Sequence, residues 1–289
     1  MKKSIYYWSP CLTKVGTVKS TINSAISLAK YSKSYNVKIL NVFGEWSKYK
    51  DYLKKKNVEV EDLAFNYYNF LPKNGFLNSR FSYLTICFIS LIPLIIFLKR
   101  KKPDFLILHL ITSLPLILLN ILKFKSKIIL RISGFPRLNY LRRKLWISSE
   151  NKLFAITCPT KELKKNLIDN RIFQNDKVKI LFDAIINIEE LIDKKINNDL
   201  IPKTKIDKGY FLSAGRFTKQ KNYIYLIKEF KKFVELYPNE KLVLIGEGEL
   251  EKKIKREITN FNLKKSIMLL NYTNNIYYYM KNSKAFILS

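Results

Sequence analysis

Acidic side chains are scarce in this sequence. Its 289 residues hold 23 Asp and Glu against 53 Lys and Arg, a formal net charge of +30. A chain so short of negative charge seeks polyanions: nucleic acid, anionic lipid or phosphorylated substrates. The crowding of Lys, Asn, Ile, Tyr and Phe matches an AT-rich codon bias, but such a bias would enrich Glu too. The imbalance is also uneven, with 26 basic and 7 acidic residues over 1–150 but 27 and 16 over 151–289. Histidine occurs once, at His109. Cysteine occurs three times, at Cys11, Cys87 and Cys158, widely spaced and without a Cys-x-x-Cys pair. That excludes a disulfide framework or a zinc site and fits the inside of a cell. No long apolar leader opens the chain. The run after Lys2-Lys3 is short and ends at Pro10, so it reads as the first strand of a cytoplasmic protein.

Core material is plentiful: 47% of residues are hydrophobic and 14% aromatic, which excludes intrinsic disorder and collagen-like repeats. The length fits one large or two medium domains. Two apolar stretches stand out. Phe81–Leu98 has no charge and is followed by Lys99-Arg100-Lys101-Lys102. A membrane span, an interfacial helix and a buried helix all remain open for it, with Pro93 and three hydroxyl side chains weighing against a span. The stretch 105–122 divides into a strand and a helix.

Apolar strands alternate with helices from end to end. Strands are expected at 4–8, 37–43, 104–109, 127–132 and 178–181, and again at 210–214, 241–245, 266–270 and 285–288. Helices fall between them, among them 17–31, 81–98, 140–149, 162–170, 222–237, 249–261 and 276–282. Buried strands separated by helices imply parallel sheets. Residues 187–208 are polar, contain Pro202 and read as a hinge. The fold class is therefore α/β, with two Rossmann-like doubly wound domains facing across a cleft, where ligands collect at strand carboxyl ends.

The strongest chemical signal is Phe211–Asn222. A strand ends at Ala214, Gly215 permits a turn, and a helix starts after Asn222, with Arg216 and Lys221 flanking the turn. A guanidinium, an ammonium and a helix N-terminus suit a diphosphate. A merely basic loop remains the other reading. At the next turn, Gly246 and Gly248 would let a ligand approach the backbone. Glu247 and Glu249 would repel phosphate, so this loop would line the cleft wall.

The stretch from AGRFTKQKN through LVLIGEGEL, IMLLN and AFILS resembles the donor domain of glycosyltransferase family 4, a retaining, nucleotide-sugar-dependent family of GT-B fold. The resemblance is weaker in the first half. There, Lys102–His109, Arg131–Pro136, Cys158–Lys161 and Lys179–Ile186 stand where the family has its own strand-end turns. It implies an acceptor-binding domain over 1–186, a hinge over 187–208 and a donor domain over 209–289. By the same resemblance, Arg216 and Lys221 would bind the donor diphosphate and stabilise the leaving group. His109 would point to the transferred sugar, the alternative being a core histidine. Gly16 would lie under the pyrophosphate. Gly134, Gly215, Gly246, Glu247 and Gly248 would line the donor site, and the backbone around Leu270 and Tyr272 would hold the base. No metal or other cofactor is implied. No convincing carboxylate nucleophile is visible, Asp183 and Glu150 being candidates only by default. The family's paired-glutamate motif, which follows the last strand, is absent, so the second domain reads as truncated.

The function implied is transfer of a sugar, with retention, from a nucleotide-sugar donor to a lipid-linked or surface-glycan acceptor, as in lipopolysaccharide, O-antigen, capsule or exopolysaccharide assembly in bacteria. The basic first half and the 81–98 helix suit a peripheral position on an anionic membrane, at the inner face of the plasma membrane. The alternative is an inactive truncated homologue that binds anionic membrane or a partner. No nucleic-acid motif is present, and aromatics are interleaved with aliphatics as in a core, so nucleic acid is set aside as a partner.

Overall fold

The computed structural model describes residues 2–289 apart from 13–15, 73–75, 137, 190, 193–205, 207 and 274. Most of the expected hinge at 187–208 therefore lies outside the described residues. The chain divides into two compact units, Met1–Ile186 and Asn187–Ser289.

Unit 1 is a seven-stranded, wholly parallel sheet. Its strands are β1 (Lys3–Trp8), β2 (Tyr35–Asn41), β3 (Glu59–Asp62), β4 (Phe105–Leu108), β5 (Lys127–Arg131), β6 (Ala155–Cys158) and β7 (Val178–Ile180). Their order is β3-β2-β1-β4-β5-β6-β7. The helices are α1 (Gly16–Tyr31), α2 (Lys50–Lys55), α3 (Phe76–Arg100), α4 (Ser113–Ile121), α5 (Tyr140–Ser149) and α6 (Lys161–Asp169). The order reverses between β1 and β4, and the helices divide accordingly. On one face Val18, Ile22 and Leu53 of α1 and α2 pack on Ile5, Tyr7 and Ile39. On the other, Ile86, Leu116, Trp146 and Leu163 of α3 to α6 pack on Tyr6, Trp8 and Leu106. The alternation Ile5-Tyr6-Tyr7-Trp8 thus feeds two cores from one strand. The edge strand β3 carries Glu59, Glu61 and Asp62, charges that discourage pairing with another chain.

Unit 2 is a four-stranded parallel sheet in the order β10-β9-β8-β11. Its strands are β8 (Tyr210–Ala214), β9 (Leu242–Ile245), β10 (Ile267–Leu270) and β11 (Ser283–Phe286), with helices α7 (Tyr223–Leu236), α8 (Glu251–Asn260) and α9 (Ile276–Asn282). Leu226 and Ile227 of α7 and Ile254 of α8 cover one face, and Tyr279 of α9 packs on Tyr210 across the other.

Two elements depart from the sequence expectations. The strand β6 is absent from the strands expected by pattern, its four residues before Pro159 being too few for a period to show, although Cys158–Lys161 resembles a strand-end turn. The helix α3 begins earlier and runs 25 residues. It stops where Lys102 takes a positive φ of 46° before Pro103. Its inner side chains, such as Ile86, Leu94 and Phe97, are buried, and Phe97 meets the Tyr6 ring edge-on at 4.9 Å. On its opposite side Leu77, Phe81, Leu84, Phe88, Ile92 and Ile96 recur at three- and four-residue spacing and are all exposed, Phe88 by 82%. Among the described residues one helix, Leu77–Arg100, is long and apolar enough by length and composition to cross a membrane.

Candidate active site

Strand order dictates where each sheet can take a ligand: at strand carboxyl ends, where the order reverses. In unit 2 that point lies between β8 and β11, so the loop from β8 into α7 borders it. Phe217 anchors this loop. Its side chain is fully buried and meets the Tyr223 ring at right angles, centroids 5.0 Å apart. Its backbone N–H donates to Glu247 O at 2.9 Å, and its carbonyl accepts from Leu250 N–H at 3.0 Å. With Phe217 turned in, Arg216 and Lys221 stay exposed on either side. Among the described residues neither has an ion-pair partner. Asn222 adopts a left-handed conformation, φ 47°, and its carbonyl accepts from Tyr225 and Leu226. The N–H groups of the first turn of α7 thus lie beside two free cations, a composition suited to a polyvalent anion.

The Gly-x-Gly loop after β9 has a different reason for its glycines than close ligand approach. A Cβ on Gly246 would lie 1.9 Å from Gly215 O, and one on Gly248 would lie 2.6–2.9 Å from the Phe217 backbone. The neighbouring β8–α7 loop fills that space, so these glycines let two loops press backbone to backbone. Gly246 N–H also donates to Leu270 O at 3.0 Å, drawing the end of β10 alongside. Tyr272 follows it and is exposed. Gly215, Arg216, Lys221, Gly246, Glu247, Gly248, Leu270 and Tyr272 therefore all lie at one edge of the unit 2 sheet.

In unit 1 the order reverses between β1 and β4, and His109 directly follows β4. Its ring is buried and both nitrogens are engaged. Nδ1 lies 2.8 Å from Thr21 Oγ1, and Nε2 bonds the Ser133 hydroxyl. Thr21 also meets Ser9 Oγ at 3.1 Å. Burial first, and the nearby Arg131 charge second, lower the imidazole pKa to about 4, so it is neutral at pH 7. The more exposed end of this chain of hydrogen bonds is the Ser133 hydroxyl. His109 thus orients Ser133 and Thr21 and presents no free ring nitrogen.

Arg131, at the end of β5, forms the second half of the network. Its Nη2 lies 2.6 Å from Asp183 Oδ1, and Ser20 Oγ donates to the same carboxylate oxygen at 3.1 Å. Asn23 of α1 donates to Ile185 O at 3.2 Å. Residues 182–185 are thereby tied across the sheet end to β5 and α1. This corrects the default reading of Asp183 as a nucleophile: its charge is committed to Arg131. Glu150 is corrected too. It precedes β6, at the opposite edge of the sheet from His109, and accepts from the Gln174 N–H. Gly16 and Gly134 are both exposed, and a Cβ on either would meet no atom within 4 Å, so nothing inside the chain demands glycine there. Sequence reasoning missed Ser20, Thr21, Asn23 and Ser133. The available signal was the cluster of small polar residues along α1, several of which turn inward.

Next to His109 in sequence, Leu110 and Ile111 line an open, mostly apolar pocket of about 240 Å³ together with Pro10, Cys11, Leu12 and, from α3, Ser79 and Tyr83. Cys11 is not reactive there: burial first, then Glu45, pushes its thiol up to about 12. Glu45 is itself buried and pushed up to about 7, although it accepts from the Val42 and Phe43 N–H groups at 3.2 and 2.9 Å. Among the described residues no group of three or more His, Cys, Asp and Glu could hold a metal ion.

Comparison with known proteins gives this geometry a family. Residues 196–289 match the model of "Glycosyl transferases group 1". An uncharacterized glycosyltransferase of Methanocaldococcus jannaschii is 30% identical over 210 residues, 66% of this chain and 51% of that one. The UDP-Gal:alpha-D-GlcNAc-diphosphoundecaprenol alpha-1,3-galactosyltransferase of Escherichia coli is 28% identical over 222 residues, 69% and 55% of the two chains. The chain thus spans about half the length of the curated relatives it matches. A mutant of S. aureus TarM, crystallised in complex with UDP among other ligands, superposes with a TM-score of 0.67 at 12% identity, covering 100% of this chain and 81% of that one. That likeness concerns fold alone, and the fold is GT-B. Through residues 196–289 the chain thus matches the glycosyl transferases group 1 family in sequence, and through both units it shares the GT-B fold.

Proposed function

We propose that the protein is a hexosyltransferase that moves a sugar from a nucleotide-diphosphate donor to a lipid-linked acceptor, with retention of configuration. The observation that carries this reading is the pair Arg216 and Lys221, exposed beside the first turn of α7 and without an ion-pair partner among the described residues. These cations bind the donor diphosphate and stabilise the negative charge that grows on it as the sugar bond breaks. Because that charge grows in the transition state, they raise rate as well as affinity. The E. coli relative's name pairs a UDP-sugar with a diphosphoundecaprenol acceptor, which supports the same classes here. The mostly apolar pocket lined by Leu110 and Ile111 is of a size for the first units of a polyprenyl chain, being smaller than the ~300–1,000 Å³ of sites that hold whole drug-sized ligands. His109 and Arg131 act as positioning residues that hold Ser133 and Ser20. No metal is required for this division of labour. The reaction belongs to surface-polysaccharide assembly, on the cytoplasmic face of an anionic membrane.

Titration calorimetry of the full chain with UDP tests the donor site. Wild type binds, and Arg216→Ala and Lys221→Ala each weaken binding. Absence of binding in wild type, or unchanged affinity in Arg216→Ala, overturns the assignment.

A further inference from the structure

The layer formed by α3, α4 and α5 has a surface that neither its core nor the proposed reaction requires. From Leu63 to Ser149 the sequence contains one acidic residue, Asp104. Its carboxylate is spent at the amino edge of the sheet, accepting from the Ser4 N–H at 2.7 Å and the Ser4 hydroxyl at 3.0 Å. The three helices themselves carry no carboxylate. They and their flanks carry Arg80, the run Lys99–Lys102, Lys123, Lys125 and the run Arg142–Lys144. Three acids of unit 1, Glu59, Glu61 and Asp62, lie on the β3 edge, where Lys38 and Lys50 pair with them and Lys101 of the run Lys99–Lys102 also reaches Glu61.

Interleaved with these cations is exposed apolar surface. The outer stripe of α3 runs from Leu77 to Ile96, roughly 30 Å at 1.5 Å per residue, and Ile121 of α4 and Leu141 of α5 are also exposed. Three hydroxyls of α3 are turned back on the chain: Ser82, Thr85 and Ser90 each donate to a backbone carbonyl, of Pro72, Phe81 and Ile86. The helix is therefore apolar on both sides, while one side alone is covered. Contiguous exposed apolar surface of this kind marks an interaction site.

The cover must be apolar at its centre and negative at its rim. A second copy would oppose two basic faces, whereas the boundary layer of an anionic bilayer supplies both properties. We infer that α3, α4 and α5 form a membrane-docking face, with α3 lying flat at the headgroup–acyl boundary. It does not cross, because its inner side chains are the wall of the unit 1 core and could not be given up to lipid. This deepens the membrane localisation proposed above by naming the surface. It stands independently of the donor site, since vesicle binding is measured without nucleotide.

The full chain is sedimented with vesicles of phosphatidylcholine alone and of phosphatidylcholine mixed with phosphatidylglycerol. Wild type pellets with the mixed vesicles and stays in solution with the neutral ones. The pair Leu84→Glu with Phe88→Glu lowers partition about a hundred-fold, as loss of two buried apolar side chains demands. The pair Lys99→Ala with Arg100→Ala lowers it about thirty-fold. Tyr225→Glu, on exposed unit 2 surface, leaves it unchanged. Thermal melting confirms that each variant is folded. Orientation is read from Phe88→Trp, whose emission is quenched more by lipids brominated near the headgroup than near the chain end. Equal pelleting with both vesicle types, no pelleting with either, or partition unmoved by the α3 pair overturns the inference. So does an α3 pair that converts a dimer to monomer without changing vesicle binding, and deeper bromines quenching more strongly overturns the flat orientation.

Discussion

The two strand-end sites treat their polar groups in opposite ways. In unit 1 they are closed on one another: His109 with Thr21 and Ser133, Arg131 with Asp183 and Ser20. In unit 2, Arg216 and Lys221 are exposed with no ion-pair partner among the described residues. A buried polar group must be paired within the protein, whereas an exposed cation at a strand end costs little and waits for an anion. The first site is therefore built for stability and orientation, and the second for binding.

Breaking the buried pair should give the largest effect. Arg131→Ala leaves Asp183 without its cation and should cost about 3–5 kcal/mol in urea unfolding. Arg216→Ala should cost less than about 0.5 kcal/mol in the same assay. Equal losses would erase the distinction between the sites.

Next comes pH. The native pKa of His109, about 4, lies below its usual 6.5, so the unfolded chain binds more protons in between. Its contribution is full above pH 6.5 and is lost as pH falls toward 4. Glu45, at about 7 against a usual 4.5, works the other way. Its contribution is full below pH 4.5 and is lost as pH rises toward 7. Each swing is roughly 3 kcal/mol and the two oppose. His109→Gln should thus leave a melting temperature that falls with pH across this window, and Glu45→Gln one that rises. Profiles identical to wild type would remove both groups from the account.

Ligand affinity ranks third. Arg216→Ala should weaken UDP binding ten- to a hundred-fold, the value of about 1.5–3 kcal/mol for a hydrogen bond to a charged group. Ser133→Ala should leave UDP affinity unchanged, and a comparable loss there would mean that unit 1 contacts the nucleotide. The smallest contrast is between glycines. Gly248→Ala forces a Cβ against the Phe217 backbone and should cost about 1–3 kcal/mol. Gly134→Ala meets nothing and should fall within about 0.5 kcal/mol of wild type in thermal unfolding.

Much of the fold could be read from local pattern. Strands such as Leu242–Ile245 are short apolar runs between turn residues, and Arg216 and Lys221 already stand out as a pair of cations at a strand-end turn. Strand order could not be read, because register between β1 and β4 is decided by residues a hundred positions apart. The partners of His109 were hidden for the same reason: Thr21 and Ser133 lie 88 and 24 positions away. Asp183 illustrates the limit well. In sequence it is an unattached carboxylate near a strand end, and only the fold brings Arg131 to it. The glycines of the β9 loop were legible as a close approach, but sequence could not say that the approaching backbone is the protein's own.

The outer stripe of α3 also bears on how the chain is made. A newly completed unit 1 exposes six large apolar side chains in one line, and nothing within the unit can cover them. Until they are covered, molecules should stick to one another, more so as concentration rises. Yield in soluble form should therefore depend on detergent or lipid present during synthesis, and the Leu84→Glu with Phe88→Glu pair should relieve that dependence. The helix that walls one side of the core is thus also the chief hazard of the finished molecule in plain water.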